Sequence, residues 1–173
     1  MKKVIFIILI QFSGCTAPKS AYQAEDFTCY PKAVYLFRHA EKQVIKGEDN
    51  PELTKAGFVR SNALAEAMTD ISAGLIYSSE YARTQQTAAP LAKQWSTDIN
   101  IKTAKDPEAQ VDIALANCNQ HVIIVGHSNT IPNLISLFGV VEEITIEDNQ
   151  YGDLFIIEWE EARPQLRIEQ VGK

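Results

Sequence analysis

The sequence predicts an α/β fold: a three-layer sandwich with a mostly parallel sheet, helices on both faces, and an antiparallel hairpin near the C-terminus. Three observations predict it. Strand-like runs alternate with helix-like segments four times between Ala33 and Gly139, the pattern of a parallel sheet linked by crossover helices. The runs Val34–Phe37 and His121–Val125 are nearly continuous in apolar character, as strands covered on both faces are. Directly after those runs come His39 and His127, two of only three histidines. In open α/β sheets, chemistry sits just beyond the carboxyl ends of the strands.

The elements follow in order. Ala33 to Arg38 is the first strand. Glu41 to Glu52 is charged, holds Gly47 and Asn50-Pro51, and reads as a loop. Thr54 is a good N-cap for a helix to about Met68, with Phe58, Leu64, Ala65 and Met68 on its inner face. Leu75–Ser78 is a second strand. Ser79 is placed to cap a helix from Glu80 to about Trp95, and Pro90 is expected to kink or split it. Ile99–Thr103 is a third strand. Asp106-Pro107 is a cap followed by an N1 proline, opening a helix to about Ala116. His121–Val125 is the fourth strand, and a helix from about Asn129 to Phe138 stops at Gly139. Ile144–Ile146 is a candidate fifth strand. Leu154–Trp159 and Leu166–Gln170 read as a hairpin at a sheet edge.

A chain of 173 residues with 46% hydrophobic and 22% charged residues suits one globular domain. Its net charge is −6, and it has no basic tract or basic-aromatic interleaving. Nucleic acid is therefore not an expected partner. An acidic chain that binds an anion needs a local positive pocket.

The N-terminus reads as a targeting segment. Met1-Lys2-Lys3 is a positive start, and Val4–Ile10 is an apolar stretch too short to span a bilayer. Ser13-Gly14-Cys15 resembles the lipobox of bacterial lipoproteins, with Phe12 a departure from its usual aliphatic residue. The expected organisation is a signal peptide over 1–14, a lipid-attached tether over 15–28 with lipidation on Cys15, and a folded domain over 29–173. An ordinary secretory signal, giving a soluble secreted or periplasmic protein, is the alternative. The expected location is the cell envelope, an oxidising compartment, with the lipid on Cys15 as the sole membrane attachment and a monomer as the expected state.

Four residues carry the predicted chemistry. Arg38 and His39 end the first strand, His127 ends the fourth, and Arg83 sits in the first turn of the helix after the second. In a parallel sheet these positions share one edge. Helix N-termini there add partial positive charge and free N–H groups. Two guanidiniums, two imidazoles and helix N-termini describe a phosphate site. His121, at the start of its strand, lies at the wrong end and reads as structural.

These residues sit in recognisable blocks. Arg38-His39-Ala40-Glu41 resembles the Arg-His motif of the histidine phosphatase superfamily, the phosphoglycerate mutase-like fold. Leu53-Thr54-Lys55-Ala56-Gly57 resembles its Leu-Thr-x-x-Gly helix start. Ser78 to Ala88 is similar to its Ser-x-x-x-Arg-x-x-Gln-Thr-Ala block, and Gly126-His127-Ser128 to its second histidine. The blocks stand in the family's order.

The resemblance implies that His39 is the nucleophile and forms a phosphohistidine. Arg38, Arg83 and His127 would hold the phosphoryl oxygens, with Asn129 either a further neutral donor or only a first-turn helix residue. No metal or other cofactor is implied, and three scattered histidines make a poor ligand set. One branch places an Asp after the second histidine; Ser128 stands there in this chain. Another uses a Glu after the third strand, for which Asp106 and Glu108 are the local candidates for the general acid. Both also suit helix capping, and Glu41 and Glu52 are weaker alternatives. Exported members with a Phe-Arg-His-Ala-Glu motif include phosphatases of lipopolysaccharide heptose phosphate, and Leu36–Glu41 resembles that form. A small phosphorylated substrate, of the lipopolysaccharide sugar-phosphate kind, is therefore expected. The competing expectations are a phosphohistidine protein phosphatase and an inactive envelope binding module on the same scaffold. In the fold this chain resembles, the two histidine-bearing strands are neighbours. Cys29 lies ten residues before His39 and Cys118 nine before His127, so a Cys29–Cys118 disulfide is implied at the end of the sheet away from the histidines.

Overall fold

The computed structural model describes residues 29–172. The signal-like stretch, Cys15 and the tether lie outside the described residues.

Strands β1 (Ala33–Arg38), β2 (Leu75–Ser78), β3 (Ile99–Ile101), β4 (His121–Gly126), β5 (Asp153–Glu160) and β6 (Arg163–Gln170) form one sheet in the order β3-β2-β4-β1-β5-β6. The first four are mutually parallel, β5 is antiparallel to β1, and β6 is antiparallel to β5. The helices are α1 (Lys55–Ala67), α2 (Ala82–Trp95), α3 (Pro107–Leu115) and α4 (Thr130–Leu137).

The apolar runs are buried on both faces for the reason their continuity suggests. Along β1, Val34 and Leu36 join one core with residues of α3 and α4. Ala33, Tyr35 and Phe37 join the other, with residues of α1 and α2. Side chains alternate across a strand, so a strand between two helical layers must be apolar at every position.

Three local expectations are corrected, and a fourth, for Pro90, is narrowed. On α1 the buried stripe is Gly57, Ser61, Leu64 and Ala65, whereas Phe58 is 44% exposed. A Cβ at Gly57 would collide with the carbonyl oxygen of Glu41, so a small residue marks the true inner face. Pro90 does not split α2. The carbonyl that a proline at 90 leaves without its helical donor is that of Gln86, and the Ser61 hydroxyl donates to it at 3.0 Å. Ser79 makes no cap for α2, whose N-cap is Tyr81. Ile144–Ile146 is a loop that buries Ile146. The place beside β1 is taken by β5, which closes on β6 through Glu161 and Ala162, both at positive φ, as a two-residue hairpin turn requires. Pro164 sits on the edge strand β6, where a missing N–H costs no ladder bond on the open side.

Candidate active site

The register of β1 on β4 builds the site. Arg38 pairs with Gly126, so His39 and His127, each one residue further, leave the sheet side by side. Their rings meet edge to face with centroids 5.3 Å apart. The His39 amide bonds the Gly126 carbonyl at 2.9 Å, fixing the two turns to each other.

Each imidazole is oriented by one hydrogen bond. His39 Nδ1 lies 2.8 Å from the Ala40 carbonyl oxygen. A carbonyl only accepts, so Nδ1 carries the hydrogen and Nε2 is left with its lone pair. His39 is 3% exposed. Burial pushes its pKa down to about 3, the Ala40 bond opposing and the cations of the site reinforcing the shift. His127 Nε2 lies 2.9 Å from Ser79 Oγ. Ser79 Oγ in turn lies 2.8 Å from Thr84 Oγ1, which donates to the Tyr81 carbonyl at 2.8 Å. Burial, and then the charge of Arg83, lower His127 to about 4. Both imidazoles are neutral at pH 7.

The guanidiniums flank this pair. Arg38 is 7% exposed and its Cζ stacks 4.3 Å over the Tyr151 ring. Arg83 stacks likewise over Tyr81 at 4.3 Å. The Nε of each is buried and without a hydrogen-bond partner among the described residues. Two buried, cationic donors left unpaired are costly unless a ligand takes them.

These four residues, with Lys42, Tyr81, Ala104, Lys105, Ser128, Asn129, Thr130 and Asp148, line a cavity of about 400 Å³. The Asn129 side chain makes no capping bond to α4. Thr130 Oγ1 instead accepts from the His127 amide at 2.9 Å, tying the turn after β4 to the first residue of α4. A larger groove of about 670 Å³ lies between α1 and α2, lined by Phe58 and Pro90 among others, and holds none of these residues.

The other candidates fall elsewhere. Asp106 caps α3, accepting from the Ala109 amide at 3.0 Å, and Glu108 stands in that helix's first turn. Neither lines the cavity. Glu41 is bound by Arg60 at 2.7 Å. Burial pushes its carboxyl up, but the Arg60 hydrogen bonds outweigh that and hold it below the usual carboxylate value. His121 stands at the far end of β4, tilted against Tyr35. Cys29 and Cys118 form a disulfide with Cα atoms 5.5 Å apart, at the end of the sheet opposite the histidines. No group of three metal-ligating side chains occurs among the described residues.

Sequence reasoning missed Ser79 as the partner of His127, Asp148 as a lining carboxylate, and the contacts of Arg38 with the loop before β5. It also left the motif residues between the catalytic blocks unexplained. Gln86 Oε1 takes the Leu53 amide at 2.8 Å and Thr87 Oγ1 takes the Ala40 amide at 2.9 Å. The Gln-Thr pair thus pins both ends of the loop that follows His39.

Residues 34–106 match the family model of the histidine phosphatase superfamily (branch 1). No curated protein matches the chain. Among solved structures, SixA of Agrobacterium tumefaciens, assigned as a phosphohistidine phosphatase, superposes with a TM-score of 0.58 at 21% identity, covering 82% of this chain and 98% of that one. A phosphoserine phosphatase of Entamoeba histolytica gives 0.61 at 16% identity, covering 82% and 97%. A mycobacterial glucosyl-3-phosphoglycerate phosphatase gives 0.61 at 13% identity, covering 80% and 97%. At these identities the structural likeness establishes the fold.

Proposed function

We propose that this chain is a histidine phosphatase, a phosphoric monoester hydrolase of the superfamily whose family model its residues 34–106 match, working through a phosphohistidine on His39. The observation that carries the reading is the pair of neutral, edge-to-face histidines between two guanidiniums with unpartnered buried Nε groups. That set offers a nucleophile and a cradle for a phosphoryl group in one place.

The steps follow from the geometry. A phosphate monoester seats its phosphoryl oxygens against Arg38, Arg83 and the second histidine. His39 Nε2 attacks phosphorus; the P–N bond forms as the ester P–O bond breaks, and the departing alkoxide takes a proton from solvent. A water then attacks phosphorus; its O–P bond forms as the P–N bond breaks, its proton passes to solvent, and phosphate leaves neutral His39. The transition-state charge is met by preorganised donors carried on buried side chains, where such donors act more strongly than in water. The Ala40 carbonyl steadies the N–H at Nδ1 while Nε2 is phosphorylated.

Lys42 and Lys105 add two cations beside the phosphoryl set, and Tyr81 is the one large ring in the lining. This supports a small polar or anionic substrate, of the lipopolysaccharide sugar-phosphate kind, over an apolar one. The signal-like N-terminus, the Ser13-Gly14-Cys15 sequence and the Cys29–Cys118 disulfide support an envelope protein, anchored through Cys15 and monomeric, since disulfides persist in oxidising compartments. One observation favours a second reading. Among the described residues, Asp148 is the sole carboxylate in the cavity lining, and an imidazole leaves phosphorus more readily than an alcohol. A phosphohistidine substrate would need no strong general acid.

The test is a panel of phosphate monoesters and a phosphohistidine peptide, with and without His39→Ala. Turnover with an acid-labile, alkali-stable phosphoenzyme supports the reading. A wild-type protein that hydrolyses none of them excludes it.

A further inference from the structure

Arg38 is held by a loop more than a hundred residues away. Its Nη1 donates to the carbonyls of Glu147 and Gln150 at 2.7 and 2.8 Å, and its Nη2 to that of Asp148 at 3.1 Å. A guanidinium has five N–H donors. Three are spent on this loop, which leaves Nε–H and one Nη2–H. These lie on one side of the guanidinium, the edge suited to a two-pronged grip on a phosphoryl group. The remaining Nε is buried and unpartnered.

The loop carries no helix or strand, only a turn closed by the Gln150 N–H on the Glu147 carbonyl at 3.0 Å. The side chain of Gln150 ties that turn to the sheet. Its Oε1 accepts from the Glu147 amide at 3.1 Å, and its Nε2 donates to Asp153 Oδ2. Asp153 is 9% exposed and begins β5, which is hydrogen-bonded to β1 itself. The connection therefore closes: β1 carries Arg38, β5 is fixed on β1, Asp153 on β5 holds Gln150, and Gln150 folds the loop whose carbonyls aim Arg38. Tyr151 completes the seat by lying under the guanidinium.

We infer that Gln150 and Asp153 are positioning residues for phosphoryl transfer, acting through the loop carbonyls that set which edge of Arg38 meets the phosphoryl group. The inference rests on the proposed function only in taking Arg38 as an oxyanion ligand. Displacing a catalytic group by about 1 Å can cost about a hundredfold, so a loosened loop is felt at the site without any change in what lines it.

The experiment uses the full chain, purified in detergent, with vanadate as the oxyanion probe. Binding is read by calorimetry, turnover on 4-nitrophenyl phosphate, and folding by melting temperature. Gln150→Glu sets a second carboxylate against Asp153. Vanadate affinity and kcat/KM should each fall about tenfold or more. Adding Asp153→Asn restores the pair with donor and acceptor exchanged. The introduced amide can donate to the introduced carboxylate, which still accepts from the Glu147 amide. The double variant should return to within about threefold of wild type. Gln150→Ala, which removes both bonds without adding charge, should behave as Gln150→Glu does and covers the case in which Gln150→Glu fails to fold.

Folded single variants that keep vanadate affinity within about twofold overturn the inference, as does a folded double variant that does not recover. A wild type that binds vanadate but hydrolyses no phosphoester refutes the phosphatase reading and leaves the positioning test intact. A wild type that binds no vanadate overturns both.

Discussion

His127 stands edge-on to His39 at 5.3 Å because Arg38 and Gly126 are register partners on adjacent parallel strands. A shift of one residue would send every side chain of the strand to the other face. The apolar faces of β1, shared between two cores, therefore fix not only the fold but the distance between the two imidazoles.

The first prediction concerns the nucleophile. His39→Ala removes Nε2 and with it the covalent step, so kcat/KM should fall by at least about 10³-fold. The melting temperature should change little, because among the described residues His39 makes one side-chain hydrogen bond, to its own neighbour. Residual activity above about a tenth of wild type would remove His39 from that role.

The second concerns Arg83. Its guanidinium is held by the Tyr81 ring and a long 3.5 Å contact to the Asp49 carbonyl, so it is kept near the cavity with its donors largely unspent. Arg83→Ala should raise the inhibition constants for phosphate and vanadate and cost about 2–4 kcal/mol of transition-state stabilisation. Equal inhibition constants in both proteins would place Arg83 outside the phosphate cradle.

Much of this was legible in the sequence, and the exceptions share a cause. His39 and His127 could be placed because apolar runs end directly before them and parallel strands share their carboxyl edge. Thr54 could be placed because capping is a local rule. Ser79 was misassigned because the same local rule competes with a partner, His127, that lies 48 positions away. The hold on Arg38 was invisible because its acceptors are backbone carbonyls, which every residue type supplies. Ile144–Ile146 has strand composition, but β5 occupies the free edge of β1. Phe58 is apolar, yet the close approach of Glu41 favours Gly57 on the face that packs.

The third prediction is a pH dependence. Burial lowers His39 to about 3 and His127 to about 4, from an ordinary value of 6.5. Between about pH 4 and 6.5 the unfolded chain therefore binds protons that the native protein does not. These groups leave stability intact above pH 6.5 and remove it as pH falls below, by up to about 1.4 kcal/mol per pH unit for each imidazole. With three histidines in the chain, their NMR signals can be assigned by single substitution. Neither His39 nor His127 should titrate near 6.5 in the free protein. Vanadate should raise the His127 value, since a nearby anion favours the imidazolium. A His39 signal titrating near 6.5 would contradict the buried, neutral nucleophile.

The fourth concerns metals. The donor set of the site is guanidinium and imidazole, with no three-ligand cluster among the described residues. Prolonged EDTA treatment should leave kcat and KM unchanged. Inactivation by EDTA with recovery on adding zinc or magnesium would overturn the metal-independent mechanism.

The last concerns the Cys29–Cys118 bond. It closes a span of 89 residues and joins the segments entering β1 and β4. Two backbone bonds sit beside it, Asn119 N–H to the Tyr30 carbonyl and Lys32 N–H to the Gln120 carbonyl, both at 2.9 Å. The staple thus secures the same strand pair that presents His39 and His127, but at the opposite end. Closing a loop of this length stabilises by about 4–5 kcal/mol in the chain-entropy model. Reduction should lower the melting temperature by roughly 10 °C or more. At temperatures where the reduced protein stays folded, kcat/KM should be unchanged, because the β1–β4 ladder alone sets the register. A loss of activity on reduction at such a temperature would mean that the bond reaches the site. Thiol counting on the denatured, unreduced protein with Cys15→Ser decides whether the bond forms: two free thiols would exclude it.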